Sequence, residues 1–465
     1  MTKLNFNNIH KFSFDDLKIL IDISSGSVHV IDQISWDFLE QLEICEGDWE
    51  EASSKLVDKY KNQELNEVVR ELQGLITNKL LFTPDIKDTD YQPSSNPVVK
   101  ALCLHIAHDC NLRCGYCFAG TGAFGGDRSL MTQEIGERAI DFLFNASQNR
   151  RHVEVDFFGG EPLLNFGVVK ELVAYGNKKA KELNKVIKFT LTTNGVLLNK
   201  EVQEFLDENN MSVVLSLDGR KEVNDKMRPF VNGSGSYEII KDKILQFVKN
   251  RRQEDYYVRG TFTRHNLDFA ADVIHLAELG FKEISLEPVV ADPTLDYAFK
   301  DEDLDYLKEQ YEVLTHYYWQ RYVKGQGFNF FHFNIDLGHG PCLPKRLSGC
   351  GAGHEYLAVS PQGDLYPCHQ FVGKPEYKMG HVLTGIENKE VSKDFQNSHV
   401  LNKEECVNCW ARYYCSGGCH ANNLAFGGSL LKPYKIGCEL QRKRLECAIF
   451  LQVKKHLISD NFTRY

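Results

Sequence analysis

The pattern of apolar and polar residues changes along the chain. In the first 85 residues, two alternating stretches, 17–23 and 28–32, flank a Gly/Ser turn and predict a β-hairpin. Helical periodicity follows in three segments, at 35–44, 50–61 and 63–80. The apolar residues 80–83 suggest a last short strand. A hairpin with three short helices predicts a small winged-helix-like domain over residues 1–85.

From residue 99 onward, strand patterns alternate with helix patterns. The six strand-like stretches are 100–107, 153–159, 187–194, 212–218, 256–263 and 282–288. Helical stretches lie between most of them, for example at 133–147 and 166–184. Repeating βα units predict a parallel sheet with helices outside and catalytic loops at the C-terminal strand ends. The expected fold class is α/β, with a partial, TIM-like barrel of six βα units.

The remaining boundaries follow from composition. A polar, proline-bearing linker is predicted at 86–98, before the barrel at 99–300. An acidic and then aromatic segment with helical spacing, 301–340, is interpreted as a connecting helical segment. A cysteine-rich domain is expected at 341–450 and a C-terminal tail at 451–465.

Charge and hydropathy narrow the choice of partners. The formal net charge is −10 and the pI is about 5.9, without a long run of one sign, which argues against nucleic acid as the main partner. No apolar stretch reaches the roughly 18 residues that a membrane span requires, and the N-terminus lacks the apolar core of a signal peptide. We therefore expect a cytoplasmic protein that binds neither nucleic acid nor membrane.

The chain has 14 cysteines, and 11 of them fall in two regions, 110–117 and 342–438. Because disulfides rarely persist in a reducing compartment, metal ligation explains these groups better than disulfides do. The other three, Cys45, Cys103 and Cys447, are predicted to be buried or half-buried free thiols.

The first group has the spacing C-x3-C-x2-C, at Cys110, Cys114 and Cys117. Three thiolates on a short loop can bind three irons of a cubane cluster and leave the fourth iron without a protein ligand. One alternative is a stripe of buried cysteines on a helix, but Asn111 and Gly115 are poor helix formers. Another is a zinc site, although zinc sites favour four ligands in paired C-x2-4-C units.

With Tyr116 at its aromatic position, this motif resembles the radical S-adenosylmethionine (SAM) superfamily. Gly159-Gly160-Glu161-Pro162, after the second strand, is similar to the GGEP motif of that family. The resemblance implies that the open iron binds SAM and that an electron from the cluster cleaves SAM to a 5'-deoxyadenosyl radical. It also implies SAM contacts from Tyr116, Gly160, Glu161, Ser216, Arg228 and Leu286.

Alternatives remain for several of these residues. Ser216 and Arg228 are also interpretable as solvated loop residues, and Thr193, Asn194 and Asp218 as caps of the strand ends. The glycine-rich segment 120–131, directly after the cysteine motif, is typical of a lid or a hinge over a substrate.

The second cysteine region resembles the SPASM pattern of radical SAM enzymes that modify peptides and proteins. The matching residues are Cys350, Cys368, Cys406, Cys409, Cys415, Cys419 and Cys438. By resemblance, Cys406, Cys409, Cys415 and Cys438 bind an outer auxiliary 4Fe-4S cluster. Cys350, Cys368 and Cys419 then bind an inner cluster, with Cys342 as a possible fourth ligand; without it, an iron is open to a substrate thiol. The alternative is a pair of structural zinc sites.

His369, next to Cys368, is interpreted either as a base in substrate oxidation or as a hydrogen-bond donor to a cluster sulfur. Taken together, the three domains resemble the maturases of SCIFF peptides, and the first domain resembles a peptide-recognition domain. That family implies three 4Fe-4S clusters, SAM, a low-potential reductant such as ferredoxin or flavodoxin, and a cysteine-rich precursor peptide whose leader binds the first domain.

The reaction implied by this resemblance is an oxidation that links a peptide cysteine sulfur to a carbon of an acceptor residue, often threonine. A second hypothesis is a sulfatase-maturase-like oxidation of Cys or Ser to formylglycine. A third, from a different class, is a non-catalytic iron-sulfur or zinc scaffold protein, against which the GGEP motif argues.

Overall fold

The computed structural model describes residues 4–85, 91–337 and 343–462. Its N-terminal unit is an antiparallel sheet in the order β1-β2-β3, packed on three helices. The strands are β1 (Ile9–Phe14), β2 (Leu17–Asp22) and β3 (Val28–Ile31), and the helices are α1 (Gln33–Ile44), α2 (Trp49–Ser54) and α3 (Asn62–Thr77). Asp32 caps α1 by accepting from the Ser35 N–H.

This unit differs from the prediction at both ends. The hairpin is present as β2 and β3, but β1 was not predicted. The suggested strand at 80–83 is wrong, because Lys79 and Phe82 have φ angles of +58° and +51°, outside the β region. Leu81 instead turns into the core of the unit, where only 1% of it is exposed.

The predicted α/β barrel is confirmed as a run of parallel strand pairs. Its strands are β4 (Ala101–Ala107), β5 (His152–Gly159), β6 (Val186–Thr193), β7 (Ser212–Ser216), β8 (Tyr256–Phe262) and β9 (Glu283–Pro288). Its helices are α4 (Gln133–Ala146), α5 (Phe166–Glu182), α6 (Lys200–Glu208), α7 (Lys221–Met227), α8 (Tyr237–Asn250) and α9 (Phe269–Glu278).

Side-chain alternation gives this sheet two different faces. On one face the helices cover the strands: Gly176 of α5 lies against Phe189, and Phe262 stacks on Phe269 of α9 at 4.2 Å between ring centroids. The other face, here called the concave face, carries polar side chains such as the half-buried Ser216 and the exposed Arg259. The concave face is therefore where a ligand can reach the strands.

The barrel sheet continues into the C-terminal region, which the sequence did not indicate. The C-terminal strands are β11 (Tyr356–Val359), β12 (Asp364–Tyr366), β13 (Gly380–His381) and β14 (Gly385–Ile386), and a short strand β10 (Asn329–Phe330) pairs with β9 at the opposite edge. Within the described ranges, these strands and the six barrel strands form one eleven-stranded sheet, in which β11 pairs in parallel with β4. The cysteine-rich region is thus joined directly to the first barrel strand.

The last helices are α10 (Leu304–Val323), α11 (Leu343–Ser348), α12 (Lys389–Asn397), α13 (Glu404–Val407), α14 (Arg412–Cys415), α15 (His420–Asn422) and α16 (Lys435–Phe462). Helix α10 lies in the predicted connecting segment 301–340, which also contributes β10. Among the residues that the structure describes, none of the helices combines the length and apolar character needed to cross a bilayer.

Candidate functional site

Cys110, Cys114 and Cys117 lie on the loop that follows β4. The loop is not helical, and its backbone is tied to the end of α7, where the Gly115 N–H donates to the Met227 carbonyl at 2.8 Å. Burial, together with the charges of Glu161, Cys114 and Cys117, raises the pKa of Cys110 to about 12, and the Leu112 N–H opposes the rise. The three thiols are therefore close enough to act on one another, and the buried helical stripe is excluded.

This donor set fits an iron-sulfur cluster. Burial and mutual repulsion disfavour three neighbouring thiolates, whereas a bound metal centre deprotonates its thiols and neutralises their charge. Three cysteines on this loop provide one donor fewer than a cubane has irons. The fourth iron would remain available to a small ligand.

The GGEP turn supports the cysteine loop from behind. The Glu161 N–H donates to the Asp109 carbonyl at 2.8 Å, and the Gly160 N–H donates to the Ala107 carbonyl at 2.7 Å. A Cβ atom on Gly160 would lie 2.1 Å from the Asp109 oxygen, so only glycine permits this approach. The two predicted motifs are thus one packed structure.

Glu161 is fully buried at the ends of β5 and β6. Its carboxylate accepts from the Thr193 hydroxyl and the Asn194 N–H, both at 2.8 Å, and from the Leu163 N–H at 3.1 Å. Burial raises the pKa of Glu161 to about 7, while these hydrogen bonds oppose the rise. Glu161 and Thr193 therefore join the strand ends, and a contact from Glu161 to SAM stays a prediction.

Three other residues form a buried hydrogen-bonded group at the same strand ends. The Tyr116 hydroxyl donates to Asp218 at 2.6 Å and accepts from Arg228 Nη1 at 2.9 Å. Arg228 is only 6% exposed, and its Nε has no hydrogen-bond partner among the described residues. A buried guanidinium with an unused donor fits the carboxylate of a bound ligand, as predicted for SAM.

The other two predicted SAM contacts lie on opposite faces of the sheet. Ser216 is half-buried at the end of β7, on the concave face. Leu286 is fully buried in β9, where a Cβ atom on Gly260 would lie 2.5 Å from its Cδ1. The structure brings Tyr116, Gly160, Glu161, Ser216 and Arg228 to one end of the sheet. Leu286 is a neighbour of this group, because the same Cβ atom on Gly260 would lie 2.7 Å from the Cα of Asp218, the partner of Tyr116. A contact from any of these residues to SAM stays a prediction.

The outer cysteine set surrounds one cavity of about 100 Å³. Its lining includes all four predicted ligands, Cys406, Cys409, Cys415 and Cys438, together with Arg412 and Arg442. In the described part of the chain, no three His, Cys, Asp or Glu side chains converge as the ligands of a single ion would. Each thiolate of a cubane binds its own iron, so four thiols around a cavity are a donor set for such a cluster.

The inner set is also gathered in space. Burial raises the pKa of Cys368 to about 12; the Gln370 N–H opposes the rise, and the nearby thiols of Cys419 and Cys350 add to it. Cys342 lies outside the described residues, so its role as a fourth ligand stays a prediction.

His369 lies where the C-terminal region meets the barrel. Its ring packs on Phe158 and Phe118, with centroids at 5.1 and 5.5 Å, and Phe118 directly follows Cys117. Burial, and then the charge of Arg259, lower the pKa of His369 to about 4. The imidazole is therefore neutral at pH 7, with one ring nitrogen able to accept a proton and the other able to donate a hydrogen bond, and both of its roles stay predictions.

The glycine-rich segment 120–131 is packed between the cysteine loop and the C-terminal region. A Cβ atom on Gly122 would touch Cys110 at 3.0 Å, and one on Gly373 would lie 2.1 Å from the Phe124 carbonyl oxygen. Gln362 also donates to the Ser129 hydroxyl at 3.0 Å. The segment therefore packs against the cysteine loop, and its role as a lid or a hinge stays a prediction.

Two other groups of residues near the site were not predicted from the sequence. Asp85 forms a fully buried ion pair with Arg412 and accepts from the Tyr413 hydroxyl. On the concave face, the Glu287 carboxylate forms ion pairs with two arginines, at 3.9 Å from Oε1 to Arg259 Nη2 and at 3.7 Å from Oε2 to Arg444 Nη1. The only sequence signal for the group around Glu287 was Arg259, a single charged residue in the strand β8. The pair of Asp85 and Arg412 left no signal, because its partners are 327 positions apart in the chain.

Comparisons with known proteins agree with this geometry. Residues 99–240 match a family model described as a 4Fe-4S single cluster domain, and residues 350–410 match SPASM, an iron-sulfur cluster-binding domain. The first match contains the cysteine loop and the GGEP turn, and the second contains Cys350, Cys368, Cys406 and Cys409.

The chain is also similar to individual proteins. It is 28% identical to a cysteine-type anaerobic sulfatase-maturating enzyme of Clostridium novyi, over 68% of this chain and 86% of that protein. It is 24% identical to the radical SAM cyclopropyl synthase TigE of Paramaledivibacter caminithermalis, over 74% of this chain and 72% of that protein. The structure of Streptococcus suis SuiB bound to its precursor peptide SuiA superposes with a TM-score of 0.50 at 18% identity, covering 92% and 98% of the two chains.

Proposed function

Because the chain belongs to the radical SAM/SPASM family, an iron-sulfur and SAM-dependent class of enzymes, we propose that it is a peptide maturase. Its substrate is a ribosomally made, cysteine-rich precursor peptide of the SCIFF type. The product carries thioether cross-links between cysteine sulfurs and carbons of acceptor residues such as threonine. Three 4Fe-4S clusters, SAM and a low-potential reductant such as ferredoxin or flavodoxin complete the proposal.

The observation that carries this proposal is the arrangement of the N-terminal unit. Strand β3 forms one edge of its sheet and, in the described residues, pairs only with β2. An extended leader peptide can add to such an edge through main-chain hydrogen bonds. The opposite edge strand, β1, stacks His10 on Trp410, next to the predicted ligand Cys409, so a peptide held at β3 is tethered to the region that carries the outer cysteines.

The residues of the core then have defined tasks. Cys110, Cys114 and Cys117 hold the cluster, which, when bound, supplies the electron that cleaves SAM to methionine and a 5'-deoxyadenosyl radical. Arg228 orients the SAM carboxylate with its unused Nε donor, and Tyr116 and Asp218 fix the guanidinium. The segment 120–131 excludes water from the radical, and His369 accepts the proton of the attacking thiol.

The direct test is an anaerobic incubation of reconstituted protein with SAM, a reductant and a cysteine-rich peptide encoded beside its gene. We expect the peptide to lose two hydrogens per cross-link and its linked cysteines to resist alkylation. Peptide that keeps all its alkylatable thiols while SAM is consumed contradicts the proposal.

A second candidate function is the oxidation of Cys or Ser to formylglycine. The similarity to the sulfatase-maturating enzyme of Clostridium novyi favours it. Its product is an aldehyde that forms a hydrazone with a hydrazide probe, whereas a thioether does not. The same incubation, with a sulfatase-derived peptide in a parallel sample, distinguishes the two functions. A loaded protein that fails to cleave SAM supports a non-catalytic scaffold.

A further inference from the structure

A buried lysine lies between the two cysteine sets of the C-terminal region. Lys403 is 0% exposed and is one of the largest fully buried side chains of the described residues. Its ammonium donates to the Gly417 carbonyl at 2.7 Å. Gly417 belongs to the short loop between Cys415 of the outer set and Cys419 of the inner set. A Cβ atom on Gly417 would lie 2.9 Å from Lys403 Nζ, so glycine makes room for the ammonium.

The surroundings of this ammonium contain no carboxylate ion pair within the described residues. Burial lowers the pKa of Lys403, and the groups that oppose this are the thiols of Cys406, Cys415, Cys419 and Cys438. Two buried histidines, His399 and His420, lie near the ammonium. Burial, and then the charge of Lys403, lower the pKa of both. The anions available to Lys403 are therefore thiolates from both cysteine sets.

An isolated buried ammonium is expensive, and a protein normally pairs it or replaces it with an apolar side chain. A cysteine bound to iron is a thiolate, and an iron-sulfur cluster with its thiolates carries net negative charge. The cluster sites thus provide the counter-charge that the protein side chains around Lys403 do not.

We propose that Lys403 is a positioning residue shared by the two auxiliary cysteine sets, where its buried charge makes the clusters held there better electron acceptors. The inference rests on the proposed function, which requires an electron to leave the peptide. Each thioether forms from one C–H and one S–H bond: the 5'-deoxyadenosyl radical takes the hydrogen atom, the thiol loses a proton, and one electron remains. A fixed cation stabilises that electron at a nearby cluster, because charges interact strongly in a medium of low dielectric constant.

The test is a redox titration of the full-length, anaerobically reconstituted protein, followed by electron paramagnetic resonance. Lys403→Met removes the charge with little change in volume, and Lys403→Arg retains the charge. The matched control is Lys432→Met, which removes an exposed lysine between Cys419 and Cys438. We expect Lys403→Met to make the auxiliary clusters harder to reduce, changing their oxidised-to-reduced ratio about tenfold at a fixed potential, or about 59 mV for one electron.

Lys403→Arg should shift the auxiliary potentials less than Lys403→Met does, and the signal of the core cluster should stay in place. If the reduction potentials of the auxiliary clusters in Lys403→Met match those in Lys432→Met, the proposal is overturned. A wild-type protein whose iron content shows that no auxiliary clusters assemble also overturns it. A third outcome separates the two proposals. If Lys403→Met shifts the reduction potentials of the auxiliary clusters as expected, but the wild-type protein makes no thioether, the proposed function is wrong and the role of Lys403 stands.

A second measurement does not depend on electron transfer. In the metal-free protein, Lys403→Met removes an uncompensated buried charge and should raise the unfolding midpoint above that of wild type. In the cluster-loaded protein this gain should shrink or reverse, because the charge is then paired. An equal gain in both forms would mean that Lys403 does not sense the clusters.

Discussion

The core loop and the outer cysteine set gather their thiols by different means. Cys110, Cys114 and Cys117 lie within eight residues, on a loop fixed by backbone contacts to neighbouring strand ends. The outer four come from separate segments between 406 and 438, around a cavity held by side-chain contacts such as the buried pair of Arg412 and Asp85. The first set is built locally and offers three thiols, one fewer than a cubane has irons, whereas the second is built by tertiary structure and offers four. We infer that reaction and electron storage are divided between them.

The largest effect should come from removing a thiol of the core loop. Cys114→Ala leaves two donors on the loop, so we expect release of 5'-deoxyadenosine to fall to background, measured by chromatography of the reaction mixture. Cys409→Ala should lose outer-cluster iron but cleave SAM faster than Cys114→Ala does. Cys45→Ala, at a half-buried thiol in the N-terminal unit, is the control. If Cys114→Ala cleaves SAM at the wild-type rate, the division between the two sets is wrong.

The next effect concerns the outer set. Arg412→Met leaves Asp85 buried without its cation, and we expect the free energy of unfolding to fall by about 3–5 kcal/mol in a denaturant titration. Arg252→Met is the matched control, since Arg252 is 80% exposed and its ion pair with Asp207 contributes little. Adding Asp85→Asn to Arg412→Met should recover part of the loss. A loss no larger than that of the control would show that tertiary ion pairing does not hold the outer set.

A smaller effect tests the backbone support of the core loop. Gly160→Ala forces a methyl group against the Asp109 carbonyl, and we expect a loss of about 1–3 kcal/mol in unfolding free energy with weaker SAM binding by calorimetry. Gly167→Ala is the control, because no heavy atom lies within 4 Å of the added Cβ and alanine favours the helix. Equal behaviour of the two variants would mean that the loop does not depend on this close contact.

The same contrast explains what the sequence revealed. The six barrel strands and the cysteine loop were predictable because alternation and spacing are local. Pairing of β11 with β4 and the contact of Asp85 with Arg412 join distant segments, and no local pattern encodes them.

The smallest effect sharpens the link between the N-terminal unit and the outer set. His10 stacks on Trp410 with 4.1 Å between ring centroids and an interplanar angle of 2°, and its Nε2 also lies 3.1 Å from Glu446. A double-mutant cycle of His10→Ala and Trp410→Ala separates the stack from the Glu446 contact. We expect a coupling energy of about 0.5–1.5 kcal/mol in unfolding free energy.

The control for this cycle is His152→Ala, at an exposed histidine at the start of β5, paired with the same Trp410→Ala. That pair should be additive, because the two side chains share no ring contact. If His10 and Trp410 are also additive, the stack does not couple the N-terminal unit to the segment that carries Cys409. The unit would then reach the outer set through its other contacts, such as the ion pair of Asp85 and the packing of Ile23 in one cluster with Cys406, and the Arg412→Met variant would report part of that coupling.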